Sequence, residues 1–227
     1  MKKIGLVGGI SWVSTIDYYR YINEGINEKL GGLNYAECII YSLNFGDVHT
    51  IGWENAYELL YKACNSLRIS GANAIVLCAN TAHLMAERLE KETGLPVIHI
   101  GTVTAAVIHD QGLKTVGLLG TIFTMENDFY KHKLSEYNIK CITPQQKEIR
   151  SFIQQTLRDE LGKGIFKEET KRKYLSIINE LVIRGAEGII LGCTEIPMFI
   201  NKEDVSVPVF DTTKIHSEAA VSFAISL

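Results

Sequence analysis

Short apolar runs alternate along the chain with longer segments of helical spacing. KKIGLV precedes a helical pattern around 14–30, AECIIYSL precedes one around 54–70, and NAIVLC precedes one around 82–93, after which PVIHI follows. The order then restarts with KTVGLLG, a helix around 127–136, IKCITP, helices around 146–160 and 167–184, GIILGC and PVFD. β-branched runs of strand length separated by helices predict an α/β fold with parallel sheets. No Pro/Ser-rich linker or low-complexity stretch interrupts this order, so any domain boundary is compact.

The restart is internal repetition. IGLVGG (4–9) matches VGLLGT (116–121) at an offset of 112, GANAIVLCANT (71–81) matches GAEGIILGCTE (185–195) at 114, and LPVIHI (95–100) resembles VPVFDT (207–212) at 112. Three matches in one order at nearly one offset predict two pseudo-symmetric α/β halves with an inter-domain cleft. The first half is expected to hold residues 1–98 plus 208–227, because PVFD has its twin in PVIH, and the second residues 99–207. Loops after the carboxyl ends of parallel strands line such crevices and bind ligands.

At 227 residues the chain can bury a core without disulfides or a structural metal. The formal net charge is −3 and no basic run offers a phosphate-backbone footprint, which argues against a nucleic-acid partner. Lys171, Arg172 and Lys173 read as a solvated helix face. Five cysteines without a C-x-x-C pair form neither a disulfide framework nor a zinc site, and a reducing cytoplasm is the plain expectation. Lys2 and Lys3 before IGLV imitate the start of a signal peptide, but the run ends at Gly8 and Gly9 without a cleavage site. No apolar run has the length of a membrane span.

The glycine turn GLVGGIS and its counterpart GLLGT lack both the G-x-G-x-x-G spacing and the Lys-Ser/Thr of a phosphate loop, so a nucleotide site is a weak reading. Two readings remain: glycines that permit a tight turn, or free N–H groups at Gly9, Ile10 and Ser11 that hold a small carboxylate at a helix N-terminus. Among the cysteines, Cys38, Cys64 and Cys141 fit buried structural positions. Cys193 differs, because it follows Gly192 at the end of a buried strand and precedes Thr194 and Glu195. Helix N–H groups there are expected to lower its pKa and favour thiolate.

The segments VGGISWVSTIDYYRYINEGI (7–26), CANTAH (78–83), LGTIFTMENDFY (119–130), GCTEIP (192–197) and PVFDTTKIH (208–216) resemble the cofactor-independent aspartate/glutamate racemase superfamily across essentially the whole chain. The likeness is nearest to the aspartate racemase branch with its broad Asp/Glu members, since the glutamate branch usually has His where this chain has Glu195. The resemblance implies two Rossmann-like halves with the active site between them. It implies a racemase that works without pyridoxal phosphate, by two thiols on opposite sides of the substrate Cα. Inversion requires a proton to leave one face and another to arrive at the other. It implies a small amino-acid substrate and a homodimer.

The first-face motif departs from the family pattern. The family has Cys immediately before Asn-Thr, whereas this chain reads Cys78-Ala79-Asn80-Thr81, and the repeat offset pairs Ala79 with Cys193. A one-residue slip along an extended strand turns a side chain to the opposite face. Cys193 is therefore the expected acid/base, and its opposite partner stays open among Cys78, Thr81, His83 and a water molecule. Ile10, Ser11, Asn80, Thr81, Thr124 and Thr194 are the expected substrate-binding groups by resemblance, several of which can equally be helix caps. Glu195 is expected to receive the α-ammonium group or orient Cys193, with Asp17 as a weaker ammonium partner. Lys163 and His49 are the candidates for a distal carboxylate, and His216 is expected to pack between the halves. One-sided exchange, decarboxylation, or a carboxylate-binding protein without turnover are the alternatives that Ala79 keeps open.

Overall fold

Seven strands carry the fold in a computed structural model that describes residues 1–226: β1 (Ile4–Gly8), β2 (Cys38–Ser42), β3 (Ala74–Leu77), β4 (Thr115–Gly120), β5 (Lys140–Ile142), β6 (Gly188–Gly192) and β7 (Val209–Asp211). All pair in parallel, as a three-stranded sheet in the order β2-β1-β3 and a four-stranded sheet in the order β5-β4-β6-β7. Among the described residues ten α-helices connect them: α1 (Trp12–Leu30), α2 (Phe45–Ile51), α3 (Tyr57–Ile69), α4 (Ala86–Thr93), α5 (Ile100–Asp110), α6 (Ile122–Glu126), α7 (Asp128–Ser135), α8 (Lys147–Asp159), α9 (Glu168–Ile183) and α10 (Thr212–Ile225). The chain divides into two units, Met1–Ile100 together with the segment from Thr213 onward, and Gly101–Thr212.

In the first unit, β1 and β3 are buried along their whole length, as expected of parallel strands covered on both faces. Ile4, Leu6, Val76 and Cys78 pack on one face against Tyr18, Ile22 and Ile26 of α1 and Ala220, Val221 and Ala224 of α10. Val7, Ile75 and Leu77 pack on the other against Leu60, Ala63, Cys64 and Leu67 of α3 and Leu89 of α4. Tyr18, Ile22 and Ile26 recur every four residues, which places them on one stripe of α1, each contributing about 1.5–3 kcal/mol by burial.

The repeat read in the sequence is present in the registers. Val7 lies beside Leu77 in the first sheet and Leu119 beside Leu191 in the second, which are the same pairs displaced by 112 and 114 residues. Ile75 bridges Val97 and Ile189 pairs with Val209 by the same displacements.

Two expectations change. PVFD does not return to the first half: β7 hydrogen-bonds to β6 in the second sheet, and only α10 beyond it joins the first unit. The physical reason is that PVFD serves the second sheet as PVIH serves the first, so each twin stays beside its own strand. PVIHI itself does not form a strand. It makes a single bridge at Val97, held by Ile75 N–H to Pro96 O (2.9 Å) and Ile98 N–H to Ile75 O (3.0 Å), before α5 begins at Ile100.

The turn after β1 depends on Gly9. Its φ is +82°, and a Cβ there would lie 2.1 Å from the Leu43 carbonyl oxygen and 2.4 Å from the Leu43 nitrogen. Both obstacles are backbone that Leu43 N–H to Gly8 O (2.9 Å) fixes in place. Gly9→Ala should therefore cost at least about 1–3 kcal/mol, from the left-handed conformation alone. Urea unfolding checks this, and an unchanged midpoint would show that the β1 turn relaxes freely.

Candidate active site

The carboxyl ends of β4 and β6 lie side by side in the second unit, with Gly120 opposite Gly192. A Cβ on Gly192 would sit 2.9 Å from the Leu119 carbonyl oxygen, so the absence of a side chain lets the two strand ends approach closely. Beyond β4, Thr121 caps α6: its hydroxyl accepts from Thr124 N–H at 3.1 Å and lies 3.1 Å from the Thr124 hydroxyl. Thr124 is fully buried, and its N–H is the orphan donor that the Thr121 cap satisfies.

Beyond β6, Cys193 is half-buried and packs against the core made by α8, α9 and the β4 and β6 side chains. Its thiol donates to Glu195 Oε2 at 3.0 Å, and the Thr194 hydroxyl donates to the same oxygen at 2.9 Å. Burial first, and then the charge and hydrogen bond of the Glu195 carboxylate, push the Cys193 thiol well above its ordinary value. This reverses the sequence expectation of a depressed pKa. Backbone N–H groups of Thr194 and Glu195 do favour thiolate, but burial and the adjacent carboxylate outweigh them. Cys193 is thus an S–H acid whose proton already points at a base. The Tyr174 ring system lies beneath, its hydroxyl 3.0 Å from the Thr156 hydroxyl, held up by burial and near the Cys193 and Glu195 charges.

In the first unit the equivalent strand end is β3. Cys78 is buried on the face that α1 and α10 cover, in phase with Val76, and its thiol lies 3.8 Å from the Val76 carbonyl oxygen. Burial raises its pKa strongly. Ala79 packs on the opposite face with Leu77. The one-residue slip therefore separates the two side chains onto different faces, and Cys78 belongs to the core rather than to the Ala79 side. Ser14 of α1 fixes this end of β3 by donating its hydroxyl to the Cys78 carbonyl at 3.1 Å.

His83 sits in the 3-10 turn Thr81–Met85 that opens where a regular helix is expected. Its Nδ1 lies 3.0 Å from the Ala79 carbonyl oxygen, and its ring centroid lies 5.0 Å from His99 and 5.3 Å from His216. Burial, then the neighbouring His99, lowers its pKa to about 3. Burial, then His83, lowers that of His216 to the same level. His216 binds Tyr18 (Nδ1 to hydroxyl, 2.8 Å) and the Ile98 carbonyl (Nε2, 2.6 Å), all within the first unit. Asn80 and Thr81 are buried beside this turn, and the Asn80 carbonyl accepts from His83 N–H at 3.1 Å.

The β1 turn corrects a second expectation. Gly9 N–H is not free to hold a carboxylate, because it donates to the Thr15 hydroxyl at 2.9 Å, and that hydroxyl donates in turn to Ser11 O at 2.8 Å. Ser11 caps α1 by accepting from Ser14 N–H at 3.3 Å. Ile10 is half-buried and packs against the core of α3 and α4. Thr15 went unread in the sequence, where a threonine six residues after a glycine turn carries no signal until the turn closes on it.

The remaining candidates are exposed or ion-paired. Lys163 is exposed at the end of the turn Leu161–Lys163, where its charge acts on Asp159. His49 is exposed on α2, against the Phe45 ring. Asp17 is paired with Arg20 at 2.8 Å.

The Asp/Glu/Hydantoin racemase family model matches residues 7–220. A solved structure from Yersinia pestis described as a candidate Asp/Glu racemase is 43% identical over all of both chains, with a TM-score of 0.92. An aspartate racemase homologue from Pyrococcus horikoshii is 36% identical over all of both chains, with a TM-score of 0.86. The broad specificity amino-acid racemase RacX of Bacillus subtilis is 22% identical over 96% of each chain.

Proposed function

Because this chain belongs to the Asp/Glu/Hydantoin racemase family, we propose that it racemises aspartate, glutamate or a related amino acid without pyridoxal phosphate, with Cys193 as one acid/base. The hydrogen bond from the Cys193 thiol to Glu195 carries this reading. It supplies both parts that proton transfer at Cα needs on one face: an acid that can protonate a carbanion, and a carboxylate to which the sulfur can lose its proton. Thr194 holds Glu195 by donating to the same oxygen, which gives it a positioning role beside any contact with substrate.

The carbon acid is activated by charge. Removal of the α-proton leaves an electron pair conjugated with the substrate carboxylate, and hydrogen-bond donors near that carboxylate stabilise the developing charge. Thr194, Ser11, Asn80, Thr81 and Thr124 remain the substrate-holding set, although Ser11 is already employed as the α1 cap and Thr124 donates its N–H to the Thr121 cap of α6. At the repeat position equivalent to Cys193, Ala79 stands where the resemblance implies the family's other thiol, and its methyl group cannot carry a proton.

Among the described residues no helix is long and apolar enough to cross a membrane. A cytoplasmic location and a homodimer are part of the proposal. Sedimentation checks the latter, with a particle of twice the 25.3 kDa chain mass expected.

The test is to incubate the protein in D₂O with each enantiomer of aspartate and glutamate, following Cα–H loss by NMR and chirality by chromatography. Deuterium gain with inversion is expected. Deuterium gain without inversion would replace racemisation by one-sided exchange. Silence with every substrate, accompanied by measurable binding, would make the protein a carboxylate binder.

A further inference from the structure

The outer side of α1 carries an apolar stripe where a solvated helix face is ordinarily polar. Trp12, Ile16 and Tyr19 recur at spacings of four and three, which aligns them about a quarter turn from the Tyr18, Ile22 and Ile26 stripe that packs on the sheet. Trp12 is 70% exposed, Ile16 54% and Tyr19 50%. The segment after α1 extends this surface. Asn23 accepts from Ala36 N–H at 3.0 Å, and Asn27 donates to the carbonyls of Gly32 (2.8 Å) and Asn34 (3.2 Å). These bonds lay the segment along the helix with Leu33 91% and Tyr35 53% exposed. Ile40 pairs with Leu6, so it stands on the α1 face of the sheet, and it is exposed because β2 is the edge strand.

We propose that two copies of the chain join through this face of the first unit, with their α1 helices crossing antiparallel over Ile16 and Tyr19. This gives the homodimer proposed above its surface and depends on no catalytic assignment. At about 150–250 Å² per large side chain, the exposed fractions of Trp12, Ile16, Tyr19, Leu33, Tyr35 and Ile40 amount to roughly 700 Å². That exceeds the about 300–600 Å² of a typical monomer's largest apolar patch. It approaches the about 800 Å² that each partner gives to a stable pair.

The surface suits its own copy. A twofold contact sets a patch against itself, so any net charge on it would repel. Here the nearest charge on α1, Arg20, is neutralised by Asp17 at 2.8 Å. Contact would strand no amide either, because Asn23 already donates to Tyr19 O at 2.7 Å and accepts from Ala36 N–H. At about 1.5 Å of rise per residue, Trp12 and Asn23 lie about 8 Å to either side of the crossing. The Trp12 ring of each copy therefore reaches the Asn23 and Tyr35 end of the other. A lipid surface fits less well: the other charged side chains of α1, Glu24, Glu28 and Lys29, sum to an acidic set on a chain of net charge −3.

Sedimentation of the full chain beside Ile16→Glu and Ile16→Lys tests this, with far-UV circular dichroism as the check that each variant is folded. The native chain should sediment as a dimer. Each variant alone should associate about 100-fold more weakly or worse, because the substitution enters the contact twice and sets like charges together. An equimolar mixture of the two variants should pair again. Ile183→Glu, at an exposed position of α9 in the second unit, should leave the dimer as it is. A native monomer overturns the proposal, as do an Ile16→Glu dimer of native strength, a mixture that stays apart, and an Ile183→Glu variant that dissociates as far as Ile16→Glu. If the Ile16 variants do not fold, hydroxyl-radical footprinting of the native chain decides. Oxidation of Trp12 and Tyr19 should fall severalfold as the chain passes from dilute monomer to concentrated dimer, and unchanged oxidation in the dimer overturns the assignment. Absence of α-proton exchange in D₂O removes the racemase reading and leaves this surface standing.

Discussion

Glu195→Gln should move two properties of Cys193 in opposite directions, making the sulfur easier to alkylate and the enzyme slower. The Glu195 carboxylate raises the thiol pKa by its charge and by accepting the S–H bond, so removing the charge lowers it. Burial continues to hold it up, and the gain in thiolate near neutrality is partial. The same substitution removes the only base within hydrogen-bond reach of the sulfur among the described contacts, and turnover should fall by about 10²–10⁴-fold. Cys193→Ala should fall at least as far, because it removes the proton carrier itself. Iodoacetamide labelling across pH, read at the Cys193 peptide by mass spectrometry, follows the first effect. Racemisation kinetics follow the second. Slower alkylation of Glu195→Gln would mean that the carboxylate activates the thiol at rest, and the S–H acid assigned above would be wrong. Cys193→Ala with native turnover would remove the site from this part of the fold altogether.

The two variants also separate chemistry from support. Thr194→Ala leaves acid and base in place and removes only a hydrogen bond that orients Glu195, so its effect on turnover should be smaller than that of Glu195→Gln. A positioning role of this kind appears as a change that the conservative Thr194→Ser largely rescues.

The strands along the chain and the repeat were legible because they are written in one-dimensional patterns. A parallel strand buried on both faces is an unbroken apolar run, and IGLV, AIVL and GIIL each read that way. The slip at Ala79 was legible for the same reason: period-two alternation places Cys78 with Val76 and Ala79 with Leu77, and the cores on the two faces of the first sheet divide along that line. α5 and α10 were not read. Their sequences, IGTVTAAVIHD and TTKIHSEAAVSFAI, are apolar on more than one side and offer no clean polar face to set a helical period. The site was half legible. Cys193 and Glu195 stand two residues apart, but the sign of the thiol shift depends on how deeply the sulfur is buried and on where a flexible carboxylate points, and neither is a property of spacing. Gly9 shows the same limit. A glycine turn before a helix advertises free N–H groups, yet the Thr15 hydroxyl had already taken one of them.

The protein should lose stability between pH 7 and pH 5, well above the range in which its carboxylates are protonated. His83 and His216 are both held down to about 3 by burial, against about 6.5 in an unfolded chain. Their folded pKa lies below the unfolded one, so the unfolded state binds more protons as pH falls below about 6.5. The stabilisation is fully present above that value and drains away toward pH 3. At pH 5 each histidine should cost about 2 kcal/mol relative to pH 7, a figure that needs only a folded value below about 4. The carboxylates with depressed pKa, Glu160 bound by Lys167 and Thr170 and Glu187 bound by the Lys114 and Thr115 N–H groups, lose their contribution in a separate and more acidic window. Urea midpoints at pH 7 and pH 5 measure the slope, and His83→Asn should remove about half of it while His216 supplies the rest. A midpoint that stays level across that interval would mean that the two rings already exchange protons with solvent in the folded protein.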